Sequence, residues 1–197
     1  MTAAPAPGGP WLVVVDMQRV FADADSEWRT PGYADASAGI QRLLPRYENR
    51  TVYTRFVAPD RPWGAWVPYY RQWPFALRPP SDPLWRITRE FDTDDAPVVS
   101  LPSFGKWGPE LAGIVGHGRE IVLTGVSTDC CVLSTALAAA DAGVHVQVAA
   151  DACAGLTPED HRRALDAMAL YAPLIEITTV DRLLAGASAL PAPPAVP

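Results

Sequence analysis

Two adjacent cysteines, Cys130 and Cys131, occupy a position in which a thiol could act as a nucleophile. They follow a β-branched run at residues 121–123, which indicates a buried parallel strand. They begin an Ala-rich stretch at 129–142, which predicts a helix. The free N–H groups and the positive dipole end at a helix start stabilise a thiolate and can hold an oxyanion. The pattern therefore favours a nucleophilic role for one of the two thiols.

The same two cysteines have other interpretations. Cysteine behaves as a small hydrophobic residue and is often simply buried, so either thiol could be structural. Successive helix residues point about 100° apart. We therefore expect one cysteine to pack beneath the helix and the other to face the edge of the sheet, with at most one of them a nucleophile. A strained vicinal disulfide between Cys130 and Cys131 is a third interpretation, with a redox role.

A carboxylate, Asp16, lies at the end of the first apolar run, residues 11–15, which predicts a central parallel strand. Ligands of open α/β sheets bind at the carboxyl ends of the strands, so an acid at this place is a candidate catalytic group. A helix cap or turn cap is the alternative role for the same residue.

Strands and helices alternate along the chain. Further strands are predicted at 50–57, 97–100, 144–150 and 174–180, and further helices at 35–47 and 158–171. This alternation predicts an α/β fold, a three-layer α/β/α, Rossmann-like domain with a doubly wound, mostly parallel six-stranded sheet. Right-handed crossovers would bring the carboxyl ends of the first, third and fourth strands together.

The length and composition predict one globular domain. The chain has 197 residues, of which 49% are hydrophobic and 19% are charged. Residues 1–10 and 188–197 are rich in Ala and Pro and are predicted to be loosely held tails. The single domain is therefore expected at residues 11–187.

Charge and cysteine content argue against several classes of partner. The net charge of −6 disfavours nucleic acid and anionic membranes. Three cysteines without paired spacing argue against a disulfide scaffold and fit a reducing compartment. No apolar run approaches the roughly 20 residues of a membrane span, and no basic region of a signal peptide precedes the first apolar run. We therefore expect a cytoplasmic protein without nucleic-acid or membrane partner, metal or cofactor.

Aromatic residues crowd the segment 58–83, which is predicted to be irregular and includes Trp63 and Trp66. A loop of this length in a compact domain is usually functional. Its rings could cover the core, form the wall of a pocket, or form a subunit contact in a homodimer or homotetramer. Arg55, in the preceding strand, could recognise a carboxylate or a polar amide, and a solvated surface charge is its alternative role.

The stretch GVSTDCCV at residues 125–132, between a strand and an Ala-rich helix, resembles the signature of the isochorismatase-like cysteine hydrolases. That family includes nicotinamidases, N-carbamoylsarcosine amidase and other hydrolases of small amides. The resemblance implies that Cys131, which directly precedes a Val, is the nucleophile. It also implies a cis peptide bond between Val126 and Ser127. The backbone N–H groups of Ser127 and Cys131 would then form an oxyanion hole for the substrate's carbonyl oxygen.

The opening Asp16-Met17-Gln18 also resembles the family, which implies that Asp16 is the general base. The family places a catalytic lysine shortly after the third strand, where Lys106 is the sole lysine of this chain. A cation is required physically, because an acid beside a thiol would otherwise raise the pKa of that thiol. Lys106 or a nearby arginine must supply this charge, and a solvent-exposed lysine is the alternative role for Lys106.

The resemblance further implies the strand order 3-2-1-4-5-6. The residues expected to contact the substrate are Gln18, Phe21, Arg55, Trp63, Trp66 and Phe104. In nicotinamidases the region after the second strand supplies an Asp and histidines to a metal, whereas no His precedes His117 here. The metal site is therefore expected to be absent, which disfavours nicotinamide as the substrate. Asp151 and His161 resemble structural residues of the family.

We therefore expect a cysteine hydrolase that cleaves a C–N bond of a small amide, ureide or carbamoyl compound through a thioester. Asp16, Lys106 and Cys131 would form its catalytic triad. One alternative is an isochorismatase-type vinyl-ether hydrolase, which needs the acid but no thiol. Another is a non-catalytic binding member of the same fold, an interpretation that stays open because Ser100 occupies the usual place of the lysine.

Overall fold

The apolar runs of the chain form the strands of one sheet. The structure, a computed structural model, describes residues 9–91, 93, 95–116 and 120–186. Residues 1–8 of the predicted first tail and the whole of the predicted second tail lie outside this part of the chain, as does His117.

All neighbouring strands of the sheet are parallel. Their order is β3-β2-β1-β4-β5-β6, so the predicted fold and strand order are confirmed. The strands are β1 (Trp11–Val15), β2 (Thr51–Phe56), β3 (Val98–Leu101), β4 (Glu120–Val126), β5 (His145–Ala154) and β6 (Ile175–Thr178).

Helices connect the strands. Those of the described residues are α1 (Arg19–Ala22), α2 (Tyr33–Leu43), α3 (Trp66–Gln72), α4 (Pro109–Val115), α5 (Leu133–Asp141), α6 (Pro158–Ala169) and α7 (Val180–Leu184). Within the described ranges, no helix combines the length and the apolar character needed to cross a membrane.

Both faces of the sheet are buried, as the continuous apolar run of β1 predicts. Leu12 and Val14 pack into one core cluster, together with residues of α2 and α7. Val13 and Val15 pack into the other cluster, together with residues of α4, α5 and α6. All four side chains are fully buried. This alternation of faces produces the three-layer α/β/α arrangement.

The aromatic segment 58–83 is more regular than its sequence predicts. It contains α3 and a short 3₁₀ turn, Pro74–Ala76. The helix escapes sequence patterning because Pro68 and several aromatic residues, all poor helix formers, lie within or beside it. Tertiary packing of its rings, rather than intrinsic propensity, holds α3 in place.

Gly125 allows the end of β4 to lie against the end of β1. A Cβ atom at this position would lie 2.1 Å from the carbonyl oxygen of Val15, and the φ angle of the residue is +108°. Both conditions exclude a side chain. The close approach places the turn after β4 beside Asp16, which follows Val15 directly.

Gly125→Ala should therefore destabilise the protein by about 3 kcal/mol or prevent folding, because the new Cβ collides with backbone and the positive φ is strained. Urea unfolding followed by circular dichroism measures the change. Gly113→Ala in α4 is the matched control, since a Cβ there meets nothing within 4 Å. It should leave stability unchanged or raise it by up to about 1 kcal/mol. Equal midpoints for the two variants would contradict this account of Gly125.

Candidate active site

Three strand ends bring the predicted catalytic residues to one edge of the sheet. Asp16 directly follows β1, Lys106 lies in the segment between β3 and α4, and Cys131 lies in the turn that follows β4. Parallel strands present their carboxyl ends at the same edge, which is where ligands of such sheets bind. β1 and β4 are direct neighbours, so Asp16 and the cysteine turn start from adjacent strands.

Asp16 and Lys106 form a buried ion pair. The Lys106 Nζ atom lies 3.0 Å from the Asp16 Oδ2 atom, and both side chains have zero exposure. The ammonium also donates to the backbone carbonyl oxygens of Ser103 and Phe104, the latter at 3.1 Å. Nζ lies 5.2 Å from the centre of the Phe56 ring. These contacts fix the single lysine of the chain beside the acid and away from bulk water.

Thr54 holds the Asp16 carboxylate in one orientation. Its hydroxyl donates to Asp16 Oδ1 at 2.6 Å and accepts from the Asp16 backbone N–H at 3.2 Å. Asp16 has a positive φ of 51°, a conformation that this pair of hydrogen bonds supports. Lys106 Nζ lies close to Oδ2, but the angles between the ammonium and the carboxylate do not meet those of a hydrogen bond. Oδ2 therefore keeps the capacity to accept a proton.

The surroundings of Cys131 raise the pKa of its thiol. Burial raises its pKa well above the ordinary value, the Asp16 carboxylate raises it further, and the Lys106 ammonium lowers it. The sequence had suggested that the helix start would stabilise a thiolate. Burial outweighs that effect here, because an ionised sulfur has lost its hydration. The buried surroundings of Cys131 therefore favour the neutral thiol over the thiolate.

Cys131 lies in a π-helical turn, Thr128–Val132, rather than in the first turn of an ordinary α-helix. The Val132 N–H donates to the Ser127 carbonyl oxygen at 3.1 Å. The turn is tied to its surroundings by a 2.8 Å hydrogen bond between the Thr128 hydroxyl and His161 Nδ1. This contact agrees with a structural role for His161, whose pKa is lowered by burial.

The peptide bond between Val126 and Ser127 is cis, as the family resemblance implies. Asp151 also has a structural contact, because its carboxylate accepts a hydrogen bond from the backbone N–H of Val180 at 2.8 Å. That bond caps the start of α7, which packs against the sheet.

Thr135 links the lysine segment to the cysteine turn. Its hydroxyl donates to the Cys131 carbonyl oxygen at 2.6 Å and accepts from the Lys106 backbone N–H at 2.9 Å. Thr135 is fully buried, so neither partner can replace this bond with water. One hydroxyl thus holds two candidate catalytic residues from distant parts of the sequence in a fixed relation.

A cavity of about 330 Å³ lies in front of Cys131. Of the residues predicted for the site, Phe21, Phe104, Ser127 and Cys131 border it. Cys130 also borders it, which corrects the expectation that only one of the two cysteines would face the site. Cys131 is 2% exposed, whereas Cys130 is half-buried, so the two thiols lie at different depths.

Four residues predicted to contact the substrate do not border this cavity. Gln18 is fully buried, and its amide bonds to the backbone of Phe56 and Trp85, so it braces the site from behind. The Arg55 Nε atom donates to the Ser100 hydroxyl at 3.0 Å on the neighbouring strand. Trp63 is 52% exposed. The ring of Trp66 packs against the rings of Phe56 and Phe104.

Aromatic residues other than Trp63 and Trp66 border the cavity. Trp28, Tyr69 and Trp73 border the cavity, and only the last two belong to the aromatic segment that the sequence marks as a possible pocket wall. Burial raises the pKa of Tyr69, and negative charge at Cys130, Tyr70 or Cys131 raises it further. Trp28 stands alone in a polar stretch, where no pattern indicates a role.

The family profile described as the Isochorismatase domain matches residues 10–181. This chain belongs to the isochorismatase family. The matched range contains the whole sheet together with Asp16, Lys106 and Cys131. As an isochorismatase-like hydrolase, the protein is an enzyme.

One curated relative of this family member is isochorismatase domain-containing protein 2 of Xenopus laevis, which is 37% identical over 82 residues. The aligned stretch covers 40% of the present chain and 40% of that relative.

Solved structures of isochorismatase-like hydrolases share the fold. A cysteine hydrolase from Pseudomonas syringae pv. phaseolicola 1448A is similar with a TM-score of 0.77 and 21% identity, covering 89% of this chain and 91% of its own. An isochorismatase-like hydrolase from Alkaliphilus metalliredigens gives 0.74 and 19%, covering 91% and 98%. A pyrazinamidase from Pyrococcus horikoshii, solved in complex with zinc, gives 0.67 and 25%, covering 86% and 98%.

The residues present here do not fit a resident zinc ion of that kind. Among the described residues, no three His, Cys, Asp or Glu side chains form a group able to hold a metal. The histidines of the described ranges have other partners, since His145 Nδ1 contacts Glu120 at 2.9 Å and His161 contacts Thr128.

Opposite charges around the thiol predict opposite changes in its reactivity. Lys106→Met should raise the pKa of Cys131, because the ammonium lowers it, and so move the inflection of iodoacetamide alkylation to higher pH. Asp16→Asn should move that inflection to lower pH, because the carboxylate raises the pKa. Peptide mass spectrometry in a Cys130→Ser background measures the adduct on Cys131. Shifts in the same direction for both variants would refute the arrangement.

The hydrogen bonds of Thr135 predict that two substitutions at this position differ in their effect on stability. Thr135→Val keeps the shape but leaves the buried N–H of Lys106 without an acceptor, so it should lose about 1–3 kcal/mol of stability. Thr135→Ser keeps the hydroxyl and should lose clearly less. Urea unfolding of the two variants checks this, and a valine variant as stable as the serine variant would rule out a structural role for the hydroxyl.

Proposed function

We propose that this enzyme is a cysteine hydrolase that cleaves the C–N bond of a small amide, ureide or carbamoyl compound through a thioester. The observation that carries the proposal is the position of Cys131. Its thiol borders the cavity, and the buried pair of Asp16 and Lys106 acts electrostatically on it.

In the first half-reaction Asp16 Oδ2 takes the proton from the Cys131 thiol as the sulfur attacks the carbonyl carbon. The carbonyl oxygen gains negative charge, which the backbone N–H groups of Ser127 and Cys131 stabilise. The C–N bond then breaks, and the proton on Asp16 passes to the departing nitrogen. The acyl group remains on the sulfur as a thioester.

In the second half-reaction a water molecule attacks the thioester, and Asp16 takes one of its protons. The C–S bond breaks, the acid product leaves, and the proton on Asp16 returns to the sulfur. The raised pKa of Cys131 suits this cycle, because burial favours the neutral thiol to which each turnover returns. Lys106 Nζ lies beside the acid throughout both steps.

In this proposal the substrate is a small molecule and the enzyme works in the cytoplasm without a cofactor, as a homodimer or homotetramer. The exposed apolar side chains of Trp63 and Val67, on and beside α3, support self-association.

A panel of small amides, carbamoyl compounds and ureides, assayed for ammonia release, tests the chemistry. Cys131→Ala should reduce kcat at least about 10³-fold, because removal of a nucleophile abolishes the covalent route. Cys153→Ala is the matched control, since this third thiol is buried in β5 and does not border the cavity. It should keep kcat within about threefold. Full activity of Cys131→Ala would eliminate the thioester mechanism.

A further inference from the structure

The cavity in front of Cys131 is walled by aromatic rings. Six of them border it: Phe21, Trp28, Phe56, Tyr69, Trp73 and Phe104. Trp28 is the centre of this group, with its ring centroid 6.0 Å from that of Tyr69 and 6.4 Å from that of Trp73. It lies 5.6 Å from Phe56 and stacks on Phe21 at 6.2 Å. Each ring is therefore held by others, which makes a preformed wall. We call this group the aromatic cage.

The charged residues that border the cavity are both acidic, Glu27 and Asp129. The Asp129 Oδ1 atom accepts a hydrogen bond from the Leu156 backbone N–H at 3.0 Å, which holds the carboxylate in place. Among the described residues that border the cavity there is no lysine or arginine, and Lys106 is buried against Asp16. The cavity therefore presents negative charge to an incoming molecule.

The cavity also has a direction. Of the residues that border it, Cys131 is 2% exposed and Glu27 is exposed, and we take the part of the cavity next to Glu27 as its outer end. Tyr69 and the two cysteines border the same cavity, so the aromatic cage and Cys131 share one space. A substrate with its reacting carbonyl at Cys131 would therefore place its other end among the rings and near Glu27.

Three kinds of group could occupy the outer end. A carboxylate would need an arginine or lysine, which this wall lacks, and would be repelled by Glu27 and Asp129. An uncharged apolar group would contact the rings but make no use of the two acids. An alkylated ammonium group would interact with both the rings and the two acids, because aromatic faces and carboxylates attract cations and the methyl groups carry little hydration.

We propose that the substrate of this enzyme carries an alkylated ammonium group at the end remote from its scissile amide, held by the aromatic cage and Glu27. This inference rests on the proposed function for the position of the amide. Binding of a cation by the aromatic cage does not depend on hydrolysis of the amide, so a binding measurement tests the cage independently of turnover.

Three amides of matched length test the proposal: 4-(trimethylammonio)butanamide, its carbon isostere 5,5-dimethylhexanamide, and glutaramate. Binding is measured by calorimetry with the Cys131→Ala variant, in which turnover does not interfere. At low ionic strength the cation should bind about tenfold more tightly than the isostere. Glutaramate should bind more weakly than both. Added salt should reduce the preference for the cation.

Variants locate the interaction. Glu27→Gln, in the Cys131→Ala background, should reduce binding of the cation about threefold or more and leave the isostere unaffected. Asp25→Asn is the matched control, because Asp25 is also exposed but does not border the cavity, and it should change neither affinity. Trp73→Phe keeps a ring and should retain the preference for the cation, whereas Trp73→Leu should lose it.

Equal affinities for the cation and its isostere, or equal effects of Glu27→Gln and Asp25→Asn, would overturn the proposal. Ammonia release by the unsubstituted enzyme separates it from the proposed function. If other amides are hydrolysed while the cation has no advantage, the cage inference fails and the hydrolase stands. If the cation binds preferentially but no amide is hydrolysed, the cage stands and the amide chemistry fails.

Discussion

Two opposite charges, on Asp16 and Lys106, lie 3.0 Å apart with neither side chain exposed to solvent. Removal of one partner from such a pair leaves an uncompensated buried charge, at a cost of about 3–5 kcal/mol. The surroundings are arranged accordingly: Thr54 binds the carboxylate, and the carbonyl groups of Ser103 and Phe104 bind the ammonium. The orientation of the thiol's two charged neighbours is thus a property of the folded core. A site of this kind is preorganised, because its charges need no rearrangement when the substrate arrives.

The parallel sheet makes this arrangement possible. Asp16 and the cysteine turn start from neighbouring strands, which approach closely because Gly125 has no side chain. Lys106 arrives from β3, beyond the intervening β2, and its position relative to Cys131 is set by the buried hydroxyl of Thr135. The scaffold therefore combines a fixed ionic centre at the sheet edge with a cavity wall drawn from helices, strand ends and loops. In such an arrangement the function depends on the residues of the site, which the fold holds in position.

The candidate site was predictable from the sequence to different degrees. Cys131 and Asp16 follow recognisable buried strands and lie in motifs that resemble a known family, so both strand pattern and motif indicate them. Lys106 stands out because the chain has no other lysine. Gln18 belongs to the same motif as Asp16, yet its amide bonds to the backbone of Phe56 and Trp85, and a motif does not reveal which partners a side chain meets. Trp28, in contrast, borders the cavity although the sequence does not indicate a role for it, since one tryptophan in a polar stretch gives no periodic signal.

By itself, the sequence determined the six strands and the turn that carries the cysteines, because these depend on local apolar runs and on a motif within about 25 residues. The order of the strands in the sheet was implied by the family resemblance, since local patterns do not contain it. Only the tertiary structure decided the depth of the two thiols, the raised pKa of Cys131 and the composition of the cavity wall. Those properties arise from burial and from contacts between side chains that are distant in the sequence, such as the rings of Trp28 and Trp73. Desolvation depends on the whole environment of a group, which local patterns of residue types do not contain.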